Sequence, residues 1–147
     1  MCIRDRSSIV PWAALRSVAT WRGERAAKSL ARWRSTAREA AKQARLSWFP
    51  VVEELASTSD VAALLSSADL AVVLHEEVTV PLASLDVPDA GLVAVVVGPE
   101  GGLTDEEVAA FADAGAHPVR LGAEVLRTST AGVAAVSALL SRTPRWG

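Results

Sequence analysis

The chain has 147 residues, half of them apolar and 22% charged, enough to bury a core of its own and too apolar for a disordered linker. Its single cysteine, Cys2, excludes a disulfide framework and a cysteine-based zinc site, and His75 and His117 do not build one by themselves, so no metal and a reducing cytoplasm are expected. No apolar run approaches the roughly 18–20 residues of a membrane span, and no signal peptide is expected, because the first residues lack an apolar stretch.

The formal net charge of −2 conceals a strong asymmetry. Residues 1–45 hold eleven Lys/Arg against three Asp/Glu, and the remainder holds four against fourteen. A basic face for a polyanion on an otherwise acidic body is the expectation.

Met1 to Arg6 has no periodicity, and residues 1–8 are expected to lie outside the fold. Ile9-Val10-Pro11-Trp12 reads as a short strand. After Gly23 a helical pattern runs to about Arg45, with an apolar face of Ala26, Leu30, Trp33, Ala37, Ala40, Ala41 and Ala44. Phe49 to Val52 is extended, since Pro50 disfavours a helix there. Thr58 to about Ala68 is a shorter helix with Val61, Leu64 and Leu65 inward. Leu70 to Leu74 and Leu92 to Val97 are continuous apolar runs, the pattern of strands covered on both faces.

The next helix has an explicit start. Thr104 is its N-cap, Glu107 completes a capping box, Leu103 and Val108 fit a hydrophobic staple, and Asp105 and Glu106 favour the positive dipole end. Gly115 sits where that helix should stop. Pro118 to Leu121 reads as a strand and Thr128 to about Ser141 as the last helix. Alternating strands and helices predict an α/β fold, a parallel sheet with helices on both faces.

Two turns at strand ends carry the chemistry. In Gly98-Pro99-Glu100-Gly101-Gly102 the glycines permit close approach of a ligand to backbone, and side chains at Gly98, Gly101 or Gly122 are expected to obstruct it. A strand-to-helix connection that needs glycines for geometry alone is the competing reading. The turn has neither the Gly-Lys-Ser/Thr of a P-loop nor the dinucleotide Gly-x-Gly-x-x-Gly pattern. Glu100 is poorly suited to hold pyrophosphate but suited to accept from a ribose hydroxyl or a base N–H. The second turn, Leu121-Gly122 through Leu126-Arg127-Thr128-Ser129-Thr130-Ala131, reads either as an N-cap with a surface arginine or as free N–H groups and hydroxyls around a ligand, with Arg127 aimed at a phosphate or developing anion. Together the two turns make a pocket for a small molecule with an adenosine-like part.

The stretch Arg22 to Arg45 holds eight Lys/Arg against Glu24 and Glu39. Arg34, Arg38, Lys42 and Arg45 recur at spacings of 4, 4 and 3 and form one stripe. A charge stripe is commonly a solvated face; on an acidic protein this one is read as a contact for RNA phosphates. Trp21, Trp33 and Trp48 offer faces for base stacking, although Trp33 falls on the alanine side and is expected in the core.

Gly-Pro-Glu-Gly-Gly-Leu-Thr-x-x-Glu at 98–107, followed by Leu-Gly-x-x-x-Leu-Arg-Thr-x-Thr-Ala at 121–131, resembles the RsmE-type family of 16S ribosomal RNA uridine-N3 methyltransferases, of the SPOUT superfamily. Trp21 to Arg25, Arg32 to Arg34 and Glu39 to Arg45 resemble that family's long helix, and the likeness extends over residues 9–147. It implies S-adenosylmethionine as cofactor, bound in a C-terminal trefoil knot, a homodimer, and the small ribosomal subunit as partner. The family pattern implies a first cofactor loop at Leu74-His75-Glu76, a second at Gly98 to Gly102, and a third at Leu121-Gly122 with Leu126, Arg127, Thr128, Thr130 and Ala131. Arg127 and Glu100 are the implied catalytic residues. The family also carries an N-terminal RNA-binding barrel of the PUA type, and a strand and helix ahead of the position of Ile9. This sequence has none of these, so a truncated copy with weak RNA binding is expected. A knotted enzyme acting on ribose 2′-hydroxyls or another base, a non-catalytic cofactor- or RNA-binding remnant, and a generic nucleotide-binding domain are the alternatives.

Overall fold

A computed structural model describes residues 7–146. Of the expectation that residues 1–8 lie outside the fold, the part on Met1 to Arg6 falls outside the described residues, and Ser8 corrects the rest, since it belongs to a strand. The chain forms two compact units. One comprises residues up to Ala13 with Ala19–Ser57; the other comprises Ala14–Val18 with everything from Thr58 onward.

The first unit contains β1 (Ser8–Ile9), α1 (Glu24–Gln43) and β2 (Val51–Val52). The strand expected at Ile9 begins one residue earlier and pairs in parallel with β2, Ser8 opposite Val51 and Ile9 opposite Val52. A bridge from Trp12 to Ala56 continues the pairing. Leu30 and Ala37 of α1 pack with Val52 into a small core, flanked by Trp21. The buried stripe of α1 is narrower than expected: Leu30, Ala37 and Ala41 are buried, whereas Ala40 and Ala44 are exposed. Trp33 corrects the expectation of a core residue. It lies at the edge of the stripe, 43% exposed, with its ring edge-on to Trp21 at 5.2 Å.

The helix also ends before Arg45. Arg45 takes a left-handed conformation (φ 53°), its N–H donates to Lys42 O, and Leu46 N–H donates to Ala41 O. These two bonds form a Schellman ending, normally built on glycine, which satisfies two of the last carbonyls. With arginine in the glycine's place, no turn residue announces the stop.

The second unit contains α2 (Thr58–Ser66), β3 (Leu70–Leu74), β4 (Val93–Val96), α3 (Asp105–Asp113), β5 (His117–Val119) and α4 (Thr128–Leu140). Its sheet has the order β4-β3-β5, all parallel. The strands thus form two separate parallel sheets rather than one. Val72 and Val73 on the central strand are fully buried although they face opposite ways, as the unbroken apolar run requires. Leu70, Val72, Leu82, Val119, Ala135 and Leu139 make one buried cluster, joining β3, β5, α4 and a single 3-10 turn at Leu82–Ser84.

In α2, Val61 and Leu65 point inward, but Leu64 is exposed, one step off the two-residue face of this short helix. The start of α3 is as the sequence specifies. Thr104 Oγ1 accepts from Glu107 N–H at 3.2 Å, and Glu107 Oε2 accepts from Thr104 N–H at 2.9 Å. Gly115, at φ 97°, follows the helix end, with Ala116 N–H returning to Phe111 O at 3.0 Å.

Candidate functional site

The parallel strands of the second unit place three loops at their C-terminal ends, the usual location of ligands in parallel sheets. His75 follows β3. Its N–H donates to Val119 O at 2.8 Å, prolonging the β3–β5 ladder, and its Nδ1 accepts from Glu77 N–H at 3.2 Å. The imidazole is therefore held locally as an acceptor, while Glu76 beside it is exposed.

After β4 the chain turns through Gly98 to Gly102, closed by Gly102 N–H to Pro99 O at 2.9 Å. Glu100 is exposed at its tip. Gly102 has φ 76°, a conformation that favours glycine. The glycines differ in what a side chain would meet. At Gly98 a Cβ would come within 3.0 Å of the Leu103 side chain, and at Gly101 within 2.9 Å of the Arg16 carbonyl oxygen. A side chain at either position would therefore meet the chain's own packing as well as any ligand at this turn. Gly122, after β5, differs: the nearest atom to an added Cβ is Glu124 Oε2 at 3.7 Å.

The third loop runs into α4. Arg127 is the N-cap by backbone conformation (φ −63°, ψ 148°), and no side chain caps the helix. Its carbonyl accepts from Thr130 and Ala131 N–H, both at 2.8 Å, while its exposed position leaves the side chain in solvent. Thr128 does not cap; its hydroxyl donates to Gly98 O at 3.2 Å. Inside α4, Gly132 lets the helix approach β4, since a Cβ there would lie 3.3 Å from Val97 Cγ2. The second and third loops are thereby joined, and Leu121 and Leu126 add half-covered apolar surface beside them.

One contributor has no sequence signature. Leu15 N–H donates to Glu107 Oε1 at 2.7 Å, and Arg16 Nη1 donates to Leu103 O at 3.3 Å. The Ala14–Val18 segment therefore lies against the second loop.

The basic stripe belongs to the first unit, where it flanks β2. Arg34 donates to Val52 O at 3.1 Å and pairs with Glu54 at 3.2 Å. Arg38 stacks its guanidinium 4.4 Å over Phe49, Lys42 pairs with Glu39 at 2.7 Å, and Arg45 sits at the helix ending. Three of these four cations thus already have intramolecular partners. An open groove of about 470 Å³ runs along Arg34, Arg38, Phe49 and Val51. Among the described residues no group of three or more His, Cys, Asp or Glu is placed to hold a metal, and no helix is long and apolar enough to cross a membrane.

Comparison with known proteins adds the following. "Ribosomal RNA small subunit methyltransferase E" of Mycobacterium bovis is 43% identical over 143 residues, covering 95% of this chain and 55% of the relative. The protein of that name in Bacillus subtilis is 32% identical over 145 residues, 92% of this chain and 56% of the relative. The chain thus spans about half the length of the curated relatives it matches. Among solved structures, a methyltransferase from Legionella pneumophila in complex with the bound cofactor SAM superposes with a TM-score of 0.85 at 27% identity, covering 93% of this chain and 56% of that one. Ribosomal RNA small subunit methyltransferase E from Neisseria gonorrhoeae, bound to S-adenosyl methionine, gives 0.79 at 29% identity, with 92% and 54% covered. Residues 5–140 match the family described as the RNA methyltransferase domain, and with three loops gathered at the ends of a parallel sheet, the chain belongs to that family.

Proposed function

We propose that the chain is the cofactor-binding portion of an S-adenosylmethionine-dependent methyltransferase that acts on N3 of a uridine in 16S ribosomal RNA. The observation that carries this reading is the tie from Thr128 to Gly98, which joins two loops whose residues match the RNA methyltransferase family. The residues fit an adenosine-containing ligand. The turns offer backbone rather than a cluster of charged side chains, the nearest atom to an added Cβ at Gly122 is Glu124 Oε2 at an ordinary 3.7 Å, and Leu121 and Leu126 provide apolar surface for a base.

Bound S-adenosylmethionine supplies an electrophilic methyl group on a sulfonium. The chain's task is to hold the uridine in line with that group and to stabilise the anion that develops as N3 loses its proton. Arg127, charged and projecting from the N-terminus of α4, serves the anion or the adjoining phosphate. Glu100, at the tip of the second loop, takes the imide proton or holds the cofactor's ribose.

The order β4-β3-β5 and the approach of α4 to Val97 support a C-terminal trefoil knot. Val133 and Val136, exposed on α4 at 68% and 43%, support a homodimer formed through that helix. The cytoplasm, where the small subunit is found, is the compartment that follows from this reading.

Calorimetry with S-adenosylmethionine, then methyl transfer to unmodified small subunits with mass-spectrometric mapping of the product, tests the proposal. Cofactor binding is expected, and the methyl group, transferred slowly by a chain that spans about half of its relatives, should lie on uridine N3. Absence of cofactor binding overturns it, and a methyl group on ribose transfers the chain to the related 2′-hydroxyl enzymes.

A further inference from the structure

Glu107 is 5% exposed, yet both carboxylate oxygens have N–H donors. One oxygen completes the capping box of α3 and the other accepts from Leu15, 92 positions earlier in the chain. Buried charge of this kind is costly unless hydrogen-bonded. Here it holds a segment that buries little of its own, since Leu15 and Val18 are 78% and 88% exposed. What the segment does carry is Arg16. Its backbone lies over Gly101, and its guanidinium is anchored by Nη1 on Leu103 O and lies 3.9 Å from the place a Gly102 Cβ would take. No acidic side chain among the described residues pairs with it. A planar cation, oriented by one hydrogen bond and left with free donors at the rim of a loop, is suited to a phosphate.

We propose that Arg16 binds a phosphate of the RNA substrate beside the second loop, and that Glu107 is the positioning residue that holds it there by fixing the Ala14–Val18 backbone. The proposal rests on the RNA methyltransferase reading. It adds to that reading a site residue from a segment distant in sequence from the cofactor motifs.

The test compares the wild-type chain, Arg16→Gln, Arg16→Lys, Glu107→Gln and the double variant R16Q/E107Q. RNA binding is followed by fluorescence anisotropy with a 16S ribosomal RNA transcript at several KCl concentrations, and cofactor binding by calorimetry. Arg16→Gln should weaken RNA binding and lower the salt slope by roughly 0.7–0.9, the share of one phosphate contact, with S-adenosylmethionine affinity unchanged. Arg16→Lys should restore most of the slope. Glu107→Gln, which sets an amide NH₂ against an N–H donor, should reproduce the slope loss and speed hydrogen exchange at Leu15. The double variant should lose no more than Arg16→Gln alone, because the two act through one contact. An unchanged slope in Arg16→Gln overturns the proposal. So does a parallel fall in cofactor affinity, which would assign the guanidinium to the cofactor. A normal slope in Glu107→Gln overturns the positioning role. A wild-type chain that binds neither cofactor nor RNA overturns the methyltransferase reading itself, an outcome distinct from wild-type binding with an indifferent Arg16→Gln.

Discussion

Thr128 donates its hydroxyl to the carbonyl of Gly98 at 3.2 Å, across 30 positions of sequence. The bond fixes the N-terminus of α4 against the turn that follows β4. Thr128→Val keeps the shape of the side chain but leaves that carbonyl without its donor. We expect a loss of about 1 kcal/mol in unfolding free energy and a roughly fivefold weaker S-adenosylmethionine affinity, read by thermal melting and calorimetry. Thr128→Ser should restore both.

Arg127 contributes backbone to the helix start and leaves its side chain in solvent. Arg127→Ala should therefore shift stability by no more than about 0.5 kcal/mol. Turnover on the small subunit should fall by far more than RNA affinity, about a hundredfold if the guanidinium stabilises developing charge. Equal losses in turnover and affinity would assign it to ground-state binding alone.

Gly101 meets the Arg16 carbonyl at 2.9 Å where a Cβ would stand, without needing a positive φ. Gly101→Ala should therefore displace the Ala14–Val18 segment rather than fill the cofactor space. Hydrogen exchange at the Leu15 amide should rise by roughly tenfold or more, equivalent to about 1.4 kcal/mol of lost local stability. Cofactor affinity should fall less than in Thr128→Val.

The intramolecular partners of the basic stripe divide its members. Arg34 is tied to Val52 and Glu54, so Arg34→Gln should cost stability of the first unit as well as RNA affinity. Lys42 and Arg45 are exposed, and an exposed pair such as Lys42 with Glu39 contributes little. Lys42→Gln and Arg45→Gln should each lower the salt slope of RNA binding by about 0.7–0.9. Anisotropy titrations over a range of KCl concentrations read this directly.

Val133 on α4 is 68% exposed. If two copies pair through this helix, Val133→Glu should convert a dimer to a monomer in light scattering at micromolar concentration without lowering the melting temperature of the monomer. A wild-type monomer at that concentration would remove the dimer from the proposal.

The elements that were legible in sequence are those whose causes are local. The capping box of Thr104 and Glu107 and the unbroken apolar run of β3 needed only neighbouring residues to specify them, and the loops that follow β3, β4 and β5 follow from them. Contacts across long separations left no local trace. The docking of Leu15 on Glu107 joins positions that no periodicity relates, and the left-handed Arg45 ends α1 where glycine would have announced it. Trp33 departs from the expected core because helical spacing gives a direction and not the width of the partner surface, here a small cluster of Leu30, Ala37 and Val52. The close approach of Leu103 to Gly98 and of Arg16 to Gly101 was equally hidden, because those contacts depend on packing that the sequence of the turn does not describe.

The bond between Leu15 and Glu107 spans 92 positions, and that distance governs the order of assembly. Closing a loop of this size costs about 4 kcal/mol of chain entropy, so the contact forms only when the intervening strands have already gathered. During synthesis Glu107 follows Leu15 by roughly 5–18 seconds at ordinary elongation rates. Through that interval the Leu15 N–H has not yet met the carboxylate that holds it in the finished fold, and the Ala14–Val18 segment is among the last parts of the second unit to be fixed.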